Sequence, residues 1–294
     1  MKWGQQALLW PNRKASRFVS CRPHRWHVQE MGPEDAPGLL LLHGAGGATH
    51  SWRDLMPALA QDFRVVALDL PGQGFTHLGT KLRSGLSQMA QDVAALAAQE
   101  GWRFTAIVGH SAGAALALKL TELLDPCPRA VIGLNAALES FPGPAAWAFP
   151  VMAKMLALNP MVPSMFAASA GTTAAVRSLI TSTGSTLDDT GIALYRAAIS
   201  DAEHVEGALT MMAQWDLEGL QANLPEITVP TLLIAGENDK AVPPETSTRA
   251  AEKLADATVM QLPRLGHLAH EEAPEQIARI IAEFVSRQTG SAAA

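Results

Sequence analysis

Short apolar runs alternate along this chain with longer stretches whose apolar residues recur every three to four positions. The runs at 38–43, 63–69, 104–108, 130–135, 231–236 and 258–262 contain few polar residues, as strands covered on both faces do. The stretches at 52–61, 86–101, 114–124, 243–254 and 274–287 have helical spacing, and Gly101 closes one of them. Residues 17–31 read as two short strands around a turn. Strands alternating with helices predict an α/β fold with a mostly parallel central sheet flanked by helices.

From 138 to about 205 the alternation stops. Proline, methionine and alanine dominate there, charges are sparse, and no apolar run has strand character. Residues 203–220 then read as one helix. The pattern predicts a core made of 1–137 and 206–294, with 138–205 inserted as a helical cap. Trp147, Phe149 and Met152 in the cap, and Met212 after it, are candidates to line an apolar pocket. Methionine adapts its shape, so such a surface suits a large, flat or flexible apolar small molecule. Packing of the cap onto the sheet would account for many of the same residues.

Composition narrows the picture. Of 294 residues 48% are hydrophobic and 17% charged, which suits a large core and excludes disorder. A net charge of −6 gives no electrostatic case for nucleic acid. Two cysteines, Cys21 and Cys127, make no disulfide framework and point to a reducing compartment. No apolar run is long enough for a membrane span. The first 29 residues carry Lys2, Arg13, Lys14, Arg17, Arg22 and Arg25 with no acidic residue, among Trp3, Trp10 and Trp26. This is either a solvated hairpin with packed tryptophans or a peripheral contact with an anionic membrane or partner.

The candidate chemistry begins at Gly109-His-Ser111-Ala-Gly113, between the run at 104–108 and a helical stretch. A strand, a sharp turn and a helix with serine at the turn form a nucleophile elbow, and its flanking glycines avoid clashes with neighbouring backbone. A serine hydroxyl needs a base, and the base needs an acid that sets its tautomer. In this topology they follow in the order serine, acid, histidine. Asp239 lies three residues past the run ending at 236, and His267 follows the last strand. Asn135, after the preceding core strand, cannot be the acid, and Glu237 lies too near its strand. The backbone N–H of Ala112 and that of Ala45, in His43-Gly-Ala-Gly-Gly47, are expected to hold an oxyanion. The glycine spacing of that loop does not fit a dinucleotide-binding turn. His43 and His110 are expected to orient loops at the site mouth, and Trp52 and Trp215 to line the pocket or the core. His267 and His270 lack a third ligand, so no metal and no cofactor are expected.

These motifs make the chain resemble the α/β-hydrolase superfamily over nearly its whole length. More narrowly, it resembles the magnesium-chelatase accessory family of bacteriochlorophyll biosynthesis. That likeness is carried by Trp10-Pro-Asn-Arg13, Arg25-Trp-His-Val-Gln29, His50-Ser-Trp-Arg-Asp54, Asn159-Pro-Met-Val-Pro163, His204-Val-Glu-Gly-Ala-Leu209 and Met211-Met-Ala-Gln-Trp-Asp-Leu217. The resemblance implies a cytoplasmic protein acting around magnesium insertion into protoporphyrin IX, with chelatase subunits as partners and a porphyrin as ligand. It brings no defined reaction. Where the superfamily often has Pro-Gly-His-Gly, this chain has Pro71-Gly-Gln73-Gly74. Three functions stay open. One is hydrolysis of an ester or related acyl bond in an apolar substrate, with a tetrapyrrole ester among the candidates. Another is porphyrin or chelatase binding without turnover. The third is acyl transfer, C–C hydrolysis or perhydrolysis on the same residues. Ser111 excludes the aspartate-nucleophile reactions.

Overall fold

A computed structural model describes residues 1–139 and 161–290. Eight strands form one sheet in the order β1-β2-β4-β3-β5-β6-β7-β8. β1 (Ser16–Cys21) and β2 (His24–Met31) are the antiparallel pair at one edge. β3 (Gly38–Leu42), β4 (Arg64–Leu68), β5 (Ala106–His110), β6 (Ala130–Leu134), β7 (Thr231–Gly236) and β8 (Ala257–Leu262) run parallel to one another. The α/β class and the mostly parallel sheet read from the sequence are thus what the chain forms.

The leucine run of β3 shows why the sheet needs cover on both sides. Leu40 and Leu42 point to one face, against α3 (Leu86–Glu100) and α4 (Ala112–Leu120). Leu39 and Leu41 point to the other, with α2 (Leu55–Leu59) and α12 (Pro274–Thr289). All four leucines are fully buried. Each contributes roughly 1.5–3 kcal/mol by leaving water, so both helical layers are needed to keep a central strand dry.

Several boundaries differ from the sequence reading. The 104–108 strand begins and ends two residues later, because β5 stays paired with β3 and β6 through Gly109 and His110. The 52–61 helix splits into a single 3-10 turn at Thr49–Trp52 and the short α2. The 203–220 helix is two helices, α8 (Ala202–Gln214) and α9 (Glu218–Asn223). Trp215 between them is extended, and the Asp216 carboxylate accepts the Glu218 N–H at 2.8 Å, starting the second helix.

Between β6 and β7 lie α5 (Met161–Ala170), α6 (Thr173–Ser182) and α7 (Asp189–Ile199), followed by α8 and α9. The side chains of Thr172, Asp188 and Asp201 cap α6, α7 and α8, each satisfying an otherwise unpaired N–H. This segment has its own apolar cluster, with Val176, Ile180, Ile192, Tyr195 and Ile199. Leu268, beside His267, packs into it. The Arg53 guanidinium meets Asp188 at 2.8 Å and the Tyr195 hydroxyl donates to Glu271 at 2.7 Å, so polar contacts also tie α7 to the core. Among the described residues no helix is long and apolar enough to cross a membrane.

Candidate active site

Ser111 sits at the turn between β5 and α4 with φ 53° and ψ −118°. A positive φ on a residue with a Cβ is strained and needs its surroundings to hold it. They do so through backbone: the Ser111 N–H donates to Leu134 O at 2.9 Å, and its carbonyl accepts from Ala114 and Ala137. The elbow also needs both glycines. A Cβ on Gly109 would lie 2.2 Å from Gly113 O, and one on Gly113 would lie 2.1 Å from Leu42 O.

Asp239 follows β7 and is buried. Its Oδ1 accepts the N–H groups of Ala241 (2.8 Å) and Val242 (2.9 Å). Its Oδ2 lies 2.8 Å from His267 Nδ1 and accepts from Asn135 Nδ2 at 2.8 Å. Four donors fix the plane of this carboxylate. An ionised carboxylate only accepts, so His267 carries its proton on Nδ1 and keeps the Nε2 lone pair free to take another. Ser111 and His267 lie on the wall of one cavity. Asn135 was excluded as the acid by its chemistry, yet it holds the acid in place and also donates to Gly266 O at 3.2 Å, in the His267 loop. Its role was missed because it depends on β6 and β7 being neighbours.

Ala45 also lines the cavity, and among the described residues neither its N–H nor that of Ala112 has an acceptor. Two unengaged donors near a serine are what a developing oxyanion requires.

The cavity has a volume of about 360 Å³ and is mostly apolar. His110 and Met212 are on its wall, together with Phe166, Leu179 and Tyr195. His43, Trp52 and Trp215 are not among the lining residues; for the two tryptophans, core packing was the other place the sequence allowed. His43 is fully buried, with Nδ1 2.7 Å from Gly44 O and Nε2 accepting the Leu70 N–H at 2.9 Å. Trp52 is a core residue whose ring lies 4.7 Å from that of His270. Trp215 packs from outside against the cluster under α3 and α4. Trp147, Phe149 and Met152 lie outside the described residues. Tyr195 and His204 belong to the wall but were not singled out for it, since helical spacing does not show which face meets a pocket.

Buried titratable groups surround the site. Burial pushes His50 and His270 down to about 3 and His204 to about 4, and it also lowers His43 and His110. Burial pushes the Glu271 carboxyl up to about 8. The unfolded chain binds protons to these histidines below about pH 6.5 that the native state refuses, so stability falls as pH drops through that range. Between about pH 4.5 and 8 the native state holds a Glu271 proton that the unfolded chain has lost, so this group costs stability as pH rises. Below pH 6.5 the five histidines outweigh one carboxyl, and above it Glu271 is the one of these six groups that still acts. Thermal unfolding from pH 5 to 9 should therefore give a maximum near neutrality. Glu271→Gln should remove the alkaline decline and leave the acid limb. An unchanged alkaline limb in that variant would refute the assignment.

A serine on a strained strand-to-helix turn of this sheet, on the wall of one cavity with a histidine held by an aspartate, defines a recognisable class. The family model described as alpha/beta hydrolase family matches residues 39–280, and the chain belongs to that family. It is 41% identical over 276 residues to the magnesium-chelatase 30 kDa subunit of Rhodobacter capsulatus, covering 94% of this chain and 96% of that protein. It is 30% identical to the dihydrolipoyllysine-residue acetyltransferase component of the acetoin cleaving system of Pseudomonas putida, covering 92% of this chain and 68% of that protein. The fold matches a crystal structure of an alpha/beta hydrolase fold protein from Burkholderia ambifaria with a TM-score of 0.75 at 23% identity, over 92% and 97% of the two chains. The relatives' names differ in activity, so the reaction has to be argued from the site.

Proposed function

We propose that this protein is a serine-nucleophile hydrolase of an ester or related acyl bond in an apolar substrate, and that it serves as an accessory to magnesium chelation in tetrapyrrole synthesis. The Asp239–His267 pair on the same cavity as Ser111 carries the first part. Ser111 attacks the acyl carbon, His267 Nε2 takes the hydroxyl proton and returns it to the leaving group, and Asp239 holds the imidazole. The N–H groups of Ala45 and Ala112 receive the oxyanion. The inserted segment 138–205, which includes α5 to α7 and the start of α8, acts as the cap and supplies apolar wall. The likeness to the chelatase subunit supports the accessory role and chelatase subunits as partners.

The test is intact-mass analysis after fluorophosphonate treatment. One adduct on the wild type and none on Ser111→Ala is the expected result. No adduct on folded wild type would overturn the hydrolase reading. It would favour the second one, a porphyrin-binding chelatase partner without turnover, which the apolar cavity and the same likeness support. Porphyrin quenching of tryptophan fluorescence, equal in both proteins, would be its signature.

The basic N-terminal segment is proposed as a peripheral membrane contact. Leu8 and Leu9 are 83% and 73% exposed, beside the exposed Lys2, Arg13 and Lys14. Trp10 anchors this knuckle, its indole N–H donating to Thr49 Oγ1 at 3.0 Å. Sedimentation with phosphatidylglycerol-containing vesicles should exceed that with phosphatidylcholine alone, and Leu8→Glu/Leu9→Glu should abolish the difference. Equal sedimentation of wild type with both would refute the contact.

A further inference from the structure

Helix α8 does more than wall the cavity. It crosses the loops that follow β3 and β4, and it approaches them closely enough that a Cβ on Gly207 would lie 2.0 Å from Gly72 O. Three residues earlier on the helix, His204 is buried between both loops. Its Nδ1 accepts the Gly74 N–H at 2.9 Å. With Nδ1 as acceptor, the ring proton is on Nε2, which lies 3.1 Å from Gly46 O and donates to it. The other polar group of Gly46 is held as well. Its N–H donates to Gln73 Oε1 at 2.6 Å, and Gln73 Nε2 lies 3.2 Å from the sulfur of Met211, two turns along α8 from His204.

Gly46 has φ +78°, and without a side chain its peptide units would otherwise turn with little resistance. It adjoins Ala45. The Gly47 N–H donates to Gly44 O at 3.0 Å and closes the turn that carries Ala45, a residue of the cavity wall. Through His204 directly, and through Gln73 and Met211, both polar groups of Gly46 are tied to α8.

We infer that α8 is a clamp on the oxyanion loop, with His204 and Gln73 as positioning residues that preorganise the Ala45 N–H only while the cap helix is docked. The inference rests on the hydrolase reading and adds to it a coupling between cap and catalytic donor. A preset donor costs no reorganisation during reaction, and losing its alignment costs rate rather than ground-state binding. Gln73 thereby has a role in the loop where the superfamily often places a histidine.

The test compares His204→Leu, His204→Gln and Gln73→Leu in the full chain. Fluorophosphonate labelling rate and kcat and KM on a p-nitrophenyl ester are measured with amide exchange of residues 44–47. His204→Leu fills the space without either hydrogen bond. It should slow labelling and kcat by about tenfold to a hundredfold, with KM within about twofold, and speed exchange in the loop. His204→Gln retains an N–H that can reach Gly46 O and should recover most of the rate. Gln73→Leu should match His204→Leu and add little to it in the double variant. Labelling and exchange at wild-type rates in folded His204→Leu and Gln73→Leu would overturn the clamp. So would a Gln variant as slow as Leu, with losses that only follow the melting temperature. If wild type itself is not labelled, the hydrolase reading fails. The exchange comparison then still decides whether α8 holds the loop.

Discussion

Ser111→Ala is expected to lower kcat for ester hydrolysis by about 10⁴-fold or more while leaving the fold intact. The expectation follows from what the side chain does and does not touch. Its hydroxyl makes no hydrogen bond among the described residues, so no structural contact is lost with it. The strain at φ 53° belongs to the backbone, and alanine has the same Cβ to accommodate. The N–H to Leu134 O and the carbonyl contacts to Ala114 and Ala137 stay as they are. The melting temperature should therefore move by only a degree or two, while the reaction loses its covalent step. Residual turnover would come from binding and the oxyanion donors alone. Wild-type activity in the variant would place the nucleophile elsewhere.

Asp239→Asn should have the second largest effect, lowering kcat by about 10⁴-fold and destabilising the protein. One carboxylate oxygen accepts from Ala241 and Val242, and the other faces Asn135 Nδ2 and His267 Nδ1. An amide has one oxygen and one nitrogen. If the nitrogen faces His267, it opposes the Asn135 donor and forces the imidazole proton onto Nε2, where it blocks attack. If the nitrogen faces the loop, it meets two backbone N–H groups. Neither orientation satisfies all four donors, and a mismatched buried donor costs about 1–3 kcal/mol. A rate loss under tenfold, or an unchanged melting temperature, would refute this account of the acid.

The predictions that depend on the cap separate from these two. Ser111 and Asp239 act through atoms at the strand ends, whereas His204 acts through a helix from another part of the chain. A variant that weakens α8 docking should therefore change kcat while leaving the Asp239–His267 pair intact.

Much of this was legible in the sequence, for a definite reason. A strand buried on both faces must be apolar throughout, so the runs in β3, β5, β6 and β7 announce themselves, and their alternation with helices dictates a parallel sheet. The elbow is legible because backbone crowding at Gly109 and Gly113 admits no other residue. Ser111, Asp239 and His267 stand out because each follows a strand of that sheet, and strand ends lie on one edge whatever the intervening sequence.

What only the tertiary structure decided are the partners that come from different strands and helices. Asn135 was set aside as chemically unable to be the acid, and the β6–β7 pairing puts it on the acid. By type alone Trp52 and Trp215 fit either the pocket or the core, and the packing of the helices on the sheet places both against the core clusters. His204 and Gln73 are 131 positions apart along the chain and meet at Gly46. Local pattern determines which residues are apolar, strained or positioned at a strand end, because those properties arise from neighbours along the backbone. Which polar groups share a hydrogen bond depends on how helices settle on the sheet, a matter of long-range packing that periodicity does not encode.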